Sequence, residues 1–150
     1  MKRLNLIISI ILSATIFFTA CSKSSDNSTA KTKTQLITQS SWKFDHATAA
    51  GFGDVSTYIP SCFKDNVVTF VVGGTGNISE GTDVCSPSYA GTFTWAFQTN
   101  ETMLHLSAPL FTGGSGDFLL VSLTETNLVV SQSMTIAPFP STVVEITFKH

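Results

Sequence analysis

The chain has 150 residues, of which 43% are hydrophobic and only 12% are charged. This composition is too apolar for a disordered chain, and the length suffices for one domain with its own core. The formal net charge is −2 and no basic stripe is present, so the sequence lacks the features of a nucleic-acid-binding surface. Nucleic acid is therefore not an expected partner.

The first 21 residues have the pattern of an export signal. Two basic residues follow Met1, and the apolar run over 4–18 is short for a membrane span. The segment Phe18-Thr19-Ala20-Cys21 resembles the lipobox of bacterial lipoproteins. This resemblance implies that 1–20 are a lipoprotein signal peptide and that Cys21 is lipidated as the mature N-terminus. Ordinary secretion with cleavage just before the cysteine is the alternative.

Residues 21–34 predict a lipidated flexible tether, because they contain no apolar residue larger than alanine after the cysteine. The expected location is the bacterial cell envelope. The protein would be anchored to a membrane through Cys21, at the outer membrane, facing the periplasm or exposed at the surface. Removal of the signal peptide also removes two positive charges and leaves six lysines against ten acidic residues.

Residues 35–150 predict an all-β domain. No long amphipathic helix is apparent, and short β-branched or aromatic runs recur between Gly-, Pro- and Asp-containing turns. Eight such runs in sequence predict an eight-stranded antiparallel up-and-down barrel, with an open sandwich as the alternative. The predicted strands are 42–46, 66–72, 75–80, 92–97, 103–107, 118–123, 128–133 and 143–149.

Two cysteines flank the predicted 66–80 hairpin. If Gly73-Gly74 form a two-residue turn, opposed residues have numbers that total 147, and Cys62 and Cys85 meet this condition. Opposed Cα atoms in a hydrogen-bonded antiparallel pair are about 5.5 Å apart, which a disulfide tolerates. A disulfide is the favoured interpretation, and two free thiols or two metal ligands are the alternatives.

The motifs of the domain resemble the small bacterial lipocalin-like lipoproteins over roughly 35–150. The resemblance rests on an early Trp42, on the run Cys62-Phe63-Lys64-Asp65-Asn66 before a Gly-rich turn, and on the later Cys85. It also includes Gly91-Thr92-Phe93-Thr94-Trp95, the 119–128 segment and a final strand that ends in Phe148-Lys149. It implies a lipocalin-like barrel and a small hydrophobic ligand.

No catalytic or metal-binding pattern is apparent. The histidines at 46, 105 and 150 form no motif, and Asp45 and His46 are expected on opposite faces of a strand. The glycines of 113–116 do not open a helix, so they do not form a phosphate loop. The sequence therefore predicts no enzyme activity, no cofactor and no metal site.

Two functions remain. One is a binding protein for a small hydrophobic molecule, and the other is a structural or protein-interaction lipoprotein whose barrel is filled by its own side chains, with an envelope protein as partner. An empty interior of about 300 Å³ or more would favour a deep ligand site. The many bulky inward residues instead favour a site at one mouth of the barrel, formed by the 48–61 and 108–116 loops. The candidate contacts are Phe52, Tyr58, Leu110 and Phe111 in these loops, with Phe70 and Trp95 on the strands.

Overall fold

A computed structural model describes residues 30–150, and the predicted signal peptide and lipidated Cys21 lie outside these residues. Two short α-helices are present, α1 (Lys33–Thr38) and α2 (Ser61–Lys64), together with a 3-10 turn at Ser56–Tyr58. No helix of the described part is long and apolar enough to cross a membrane. The strands are β1 (Trp42–Ala49), β2 (Gly53–Asp54), β3 (Val67–Val71), β4 (Thr75–Ser79), β5 (Gly91–Gln98), β6 (Met103–Leu106), β7 (Asp117–Leu123), β8 (Asn127–Met134) and β9 (Thr142–Lys149).

The strands form a closed eight-stranded antiparallel barrel, as the sequence predicts. From β3 to β9 each strand pairs with the next along the chain, and β1 pairs with both β9 and β3. The β1–β9 ladder extends over most of both strands, whereas β1 and β3 share only two residue pairs. The two-residue β2 pairs with the end of β1 outside this cycle. Closure leaves less free strand edge than an open sheet would expose.

Alternation of strand direction separates the loops into two groups at opposite ends of the barrel. The end that we call the mouth carries the four longer connections, 50–66, 80–90, 107–116 and 135–141. The other end, which we call the base, carries the tight turns 72–74, 99–102 and 124–126, together with the beginning of β1 and the C-terminus. The longer loops, which can shape a binding site on a rigid scaffold, therefore lie together at one end.

Helix α1 covers the base. Thr32 caps it through a capping box with Gln35, so Lys33 and Thr34, which the sequence assigned to the 21–34 tether, belong to this helix. Ile37 on this helix is completely buried, and its carbonyl accepts a hydrogen bond from Trp42 Nε1 at 2.8 Å. Lys33 Nζ donates to the carbonyl of Glu101 in the β5–β6 turn. The chain therefore leaves the barrel toward its N-terminus at the base, away from the mouth.

A β-bulge in β1 changes which residues face the core. Trp42, at the start of the predicted 42–46 strand, is fully buried, but the ladder to β9 shifts between Phe44 and His46. Beyond the shift the buried residues are Ala47 and Ala49. The prediction that Asp45 and His46 lie on opposite faces is wrong, because their side chains meet at the surface with Nδ1 2.7 Å from Oδ2. A bulge places two successive residues against one partner and thereby breaks strict alternation.

The β3–β4 hairpin has a three-residue turn instead of the expected two. Val71 pairs with Thr75, so opposed numbers total 146 and not 147. Gly73 and Gly74 both have positive φ, as the sequence predicts. The indole of Trp95 donates to the carbonyls of Val71 and Thr75, which fixes the pair that closes the turn.

Candidate functional site

The barrel interior is filled by its own side chains. A narrow space between β1, β3, β8 and β9 leaves no room for a water molecule. Leu110, from the 107–116 mouth loop, lines this space together with residues of these strands, and only 6% of its surface is exposed. The larger cavities described below lie at the mouth and are each smaller than 300 Å³. The space that these described strands enclose is therefore too small for a ligand.

The first mouth cavity, which we call the Tyr58 groove, has a volume of about 200 Å³. One wall comes from the 50–66 loop and the other from the end of β8 and the loop that follows it. Phe111 forms part of its floor and is itself 3% exposed. None of the lining residues is charged. The larger apolar side chains around it are Tyr58, Ile59, Phe63, Phe111, Met134 and Ile136.

The second mouth cavity, which we call the disulfide groove, has a volume of about 260 Å³. It shares Pro60, Phe63 and Thr112 with the Tyr58 groove, so the two grooves adjoin along these residues. Its remaining lining residues are Cys62, Cys85, Ser86, Pro87 and Tyr89. No charged side chain lines this groove either.

A disulfide joins Cys62 to Cys85, and their Cα atoms are 5.2 Å apart. The predicted pairing is confirmed, although the predicted geometry is not, because the hairpin ladder ends at Val67 and Ser79. Cys62 lies instead on α2, and Cys85 lies in the 80–90 loop. The bond therefore connects two mouth loops, and it brings Phe63 and Tyr89 into contact with ring centres 4.8 Å apart.

Two carboxylates accept hydrogen bonds from the 80–90 loop, which contains one cysteine of this disulfide. Glu80 accepts hydrogen bonds from the Ser88 hydroxyl and from the N–H groups of Tyr89 and Cys85. Asp65 accepts from the N–H of Asp83. The Ser88 hydroxyl, followed by the Tyr89 N–H, holds the pKa of Glu80 below its ordinary value, and the Asp83 N–H does the same for the pKa of Asp65. Both groups therefore stay ionised at neutral pH.

The predicted contact residues fall into four groups. Tyr58 and Phe111 line the Tyr58 groove together. Phe52 is 47% exposed and packs against Phe139 without lining either groove. Leu110 is buried within the barrel instead of standing on the rim. Phe70 and Trp95 are core residues with ring centres 5.5 Å apart. The Trp95 indole N–H donates a hydrogen bond to the Thr75 carbonyl, beside the 72–74 turn at the base.

The sequence interpretation missed the 135–141 loop. Ile136 lines the Tyr58 groove, and Phe139 lies between two predicted rim residues, with its ring 4.9 Å from Phe52 and 4.8 Å from Tyr58. Apolar residues in an irregular loop were the signal that pointed to Phe52 and Tyr58. The same signal is present in the 135–141 loop, between and beside its prolines.

His46 and His105 lie at the surface, and each contacts one aspartate. His105 contacts the Asp117 carboxylate through Nδ1 on the outer face of the barrel. Asp45, beside His46, also contacts Lys149, and the hydrogen bond from His46 followed by that from Lys149 lowers the pKa of Asp45. Within residues 30–150, no three His, Cys, Asp or Glu side chains are grouped as a metal site would require.

No protein-family model matches the chain, and no curated protein matches it.

Proposed function

We propose that this protein is a lipid-anchored lipoprotein of the bacterial cell envelope that holds a small hydrophobic molecule in the Tyr58 groove. The observation that carries this proposal is the uncharged, solvent-accessible groove at the mouth of a barrel whose interior is filled. The resemblance of the sequence to small lipocalin-like lipoproteins supports the same function.

The size and chemistry of the groove suit one ring system. An apolar protein cavity of about 150 Å³ accommodates benzene, so a groove of 200 Å³ has room for a slightly larger ring. Its aromatic walls from Tyr58, Phe63 and Phe111 favour offset or edge-on contact with a planar ligand. With no charged side chain among the lining residues, affinity would come from apolar contact and shape.

The groove lies at the mouth, and the predicted lipid anchor would be attached at the opposite end of the barrel. The tether reaches the barrel at the base, where α1 packs against the β5–β6 and β7–β8 turns. A lipid on Cys21 would hold the base toward the membrane. The mouth would then face away from the bilayer, where a ligand or a partner protein could reach it.

The first test uses 1-naphthylamine, an uncharged single-ring-system probe. Residues 21–150 with Cys21→Ala contain the whole described barrel, and this polypeptide has no acyl chain to compete for the groove. Thr135 is exposed and lines only the Tyr58 groove, so Thr135→Trp should fill the groove and weaken probe binding about tenfold or more. Thr94→Trp, on the exposed outer face of β5, is the matched control and should bind the probe normally.

Equal binding to all three polypeptides would refute a ligand site in the Tyr58 groove. The protein-interaction function would then be favoured by a specific surface. Leu119 and Val121 on the outer face of β7 are both nearly half exposed, and Leu119 pairs with the partly buried Met103 of β6. Such an apolar strip on an outer sheet face is a feature of interaction sites.

The second test concerns the anchor. In the native host, the full chain should incorporate labelled fatty acid and fractionate with membranes. Cys21→Ala should lose the label and remain unprocessed or become soluble. The double variant Cys62→Ala/Cys85→Ala is the control and should keep the label, because those cysteines form the disulfide. Persistent labelling of the Cys21→Ala protein would show that the lipid is not on this residue.

A further inference from the structure

We infer that the two mouth grooves form one two-part site, and that its ligand is an uncharged molecule with two linked ring systems. This inference rests on the proposed function, since it extends the Tyr58 groove by the disulfide groove. A molecule of this class would place one ring system in each groove and its linker across the residues that the grooves share.

The shared wall makes a bridging ligand possible. Pro60, Phe63 and Thr112 line both grooves, so the two volumes of about 200 and 260 Å³ adjoin across these three side chains. Each volume exceeds the 150 Å³ or so that accommodates benzene, and neither is large enough alone for a drug-sized ligand. The pair therefore fits two ring systems better than one compact molecule.

The boundary between the grooves also offers polar partners for a linker. The hydroxyls of Tyr89 and Thr112 lie 3.0 Å apart and are accessible to solvent. Thr112 belongs to both grooves, and Tyr89 belongs to the disulfide groove. An amine or ether between the two rings would pass close to hydroxyls that can donate or accept a hydrogen bond.

The charge of the mouth disfavours an anionic ligand. The four mouth loops contain four carboxylates, Asp54, Asp65, Glu80 and Asp83, against the single Lys64. The Glu80 carboxylate accepts hydrogen bonds from the N–H groups of Cys85 and Tyr89, both of which line the disulfide groove. An anion in that groove would therefore lie near fixed negative charge, with repulsion that salt would screen.

Three probes separate these features. N-phenyl-1-naphthylamine has two uncharged ring systems joined by an amine, 1-naphthylamine lacks the second ring system, and 8-anilino-1-naphthalenesulfonate adds a negative charge to the two-ring skeleton. We expect the two-ring amine to bind about tenfold or more tightly than 1-naphthylamine. We expect the sulfonate to bind more weakly than the amine at low ionic strength, with a gap that narrows as salt is added.

A pair of variants assigns each ring to its groove. Ser86 is exposed and lines only the disulfide groove, as Thr135 lines only the Tyr58 groove. Ser86→Trp should remove the tenfold advantage of the two-ring amine and leave 1-naphthylamine binding unchanged. Thr135→Trp should weaken both probes, and Thr94→Trp should affect neither.

The outcomes separate this inference from the proposed function. If 1-naphthylamine responds to Thr135→Trp but the two-ring amine gains nothing and ignores Ser86→Trp, the two-part site is refuted and the single groove stands. If the sulfonate binds as tightly as the amine at low salt, the inferred preference for an uncharged ligand is wrong. If no probe responds to either variant, both the two-part site and the proposed function fail.

Discussion

Replacing Trp42 by alanine should lower the free energy of unfolding by about 4 kcal/mol, the usual cost of truncating a fully buried large aromatic residue. Trp42 is completely buried at the base, where its ring lies 3.9 Å from that of His150, centre to centre. It also lies on the weakest seam of the barrel, because Trp42–Val68 is one of the two pairs that join β1 to β3. Loss of this side chain would weaken the core, the seam and the α1 contact together.

A second substitution isolates the hydrogen bond. Trp42→Phe keeps an aromatic ring but leaves the Ile37 carbonyl without its indole donor. We expect this variant to lose about 2 kcal/mol, less than the alanine variant, because an unsatisfied buried carbonyl and a smaller ring both carry a cost. Urea unfolding of the 21–150 polypeptide with Cys21→Ala measures both values.

Val143→Ala is the control for these variants. Val143 is 50% exposed, so its truncation should change the free energy of unfolding by no more than about 0.5 kcal/mol. A Trp42→Ala protein as stable as the control would contradict the conclusion that this buried side chain stabilises the base of the barrel. A typical domain has only about 5–15 kcal/mol of net stability, so the expected loss is easily measured.

The strands were predictable because period-2 alternation is a local property of the sequence. In β5, Phe93 and Trp95 face the core and alternate with exposed threonines, as the pattern indicates. The β1 bulge was not predictable in the same way. It depends on how β9 pairs with β1 across the closure of the barrel, and no feature near Asp45 marks it.

The disulfide shows how a correct pairing can follow from an approximate geometry. The assumed two-residue turn brought Cys62 and Cys85 into register, whereas the real turn has three residues and both cysteines lie beyond the ladder. The pairing did not depend on the exact register, because Cys62 precedes and Cys85 follows the same hairpin, at its open end. The register itself was not predictable, since it depends on the Trp95 indole, which comes from a different strand.

The sequence indicated that a site would lie at one mouth of the barrel, but it did not indicate which residues line the grooves there. Aromatic residues in the 48–61 loop pointed to Tyr58, and this residue lines a groove at the mouth. The opposite wall, with Met134 and Ile136, depends on which loop faces that segment across the mouth. Nothing in the sequence distinguishes Leu110 and Phe111 from apolar residues that stay exposed on a loop. Both side chains are buried in the structure, because burial of apolar surface is favourable.

Removal of the disulfide should lower the free energy of unfolding by about 3 kcal/mol, the value expected from the chain entropy of a loop of this size. The bond spans a sequence separation of 23 residues and connects α2 to the 80–90 loop, two segments that otherwise meet mainly through aromatic contact and carboxylate hydrogen bonds. The loss of local stability should be concentrated at the mouth, because both cysteines lie there, on α2 and in the 80–90 loop, while the turns of the base and α1 lie at the opposite end.

The double variant Cys62→Ala/Cys85→Ala tests this in the 21–150 polypeptide with Cys21→Ala. Urea unfolding should give the loss in stability, and amide hydrogen exchange should become faster over 61–64 and 80–90 while α1 and β9 keep their relative protection. Reductant should reduce the stability of the protein that retains both cysteines to about that of the double variant, and it should have no effect on the double variant. If thiol titration shows the bond fully reduced and yet neither stability nor exchange at the mouth changes, the carboxylates of Asp65 and Glu80 hold the loop without it. The disulfide would then be dispensable for the shape of both grooves.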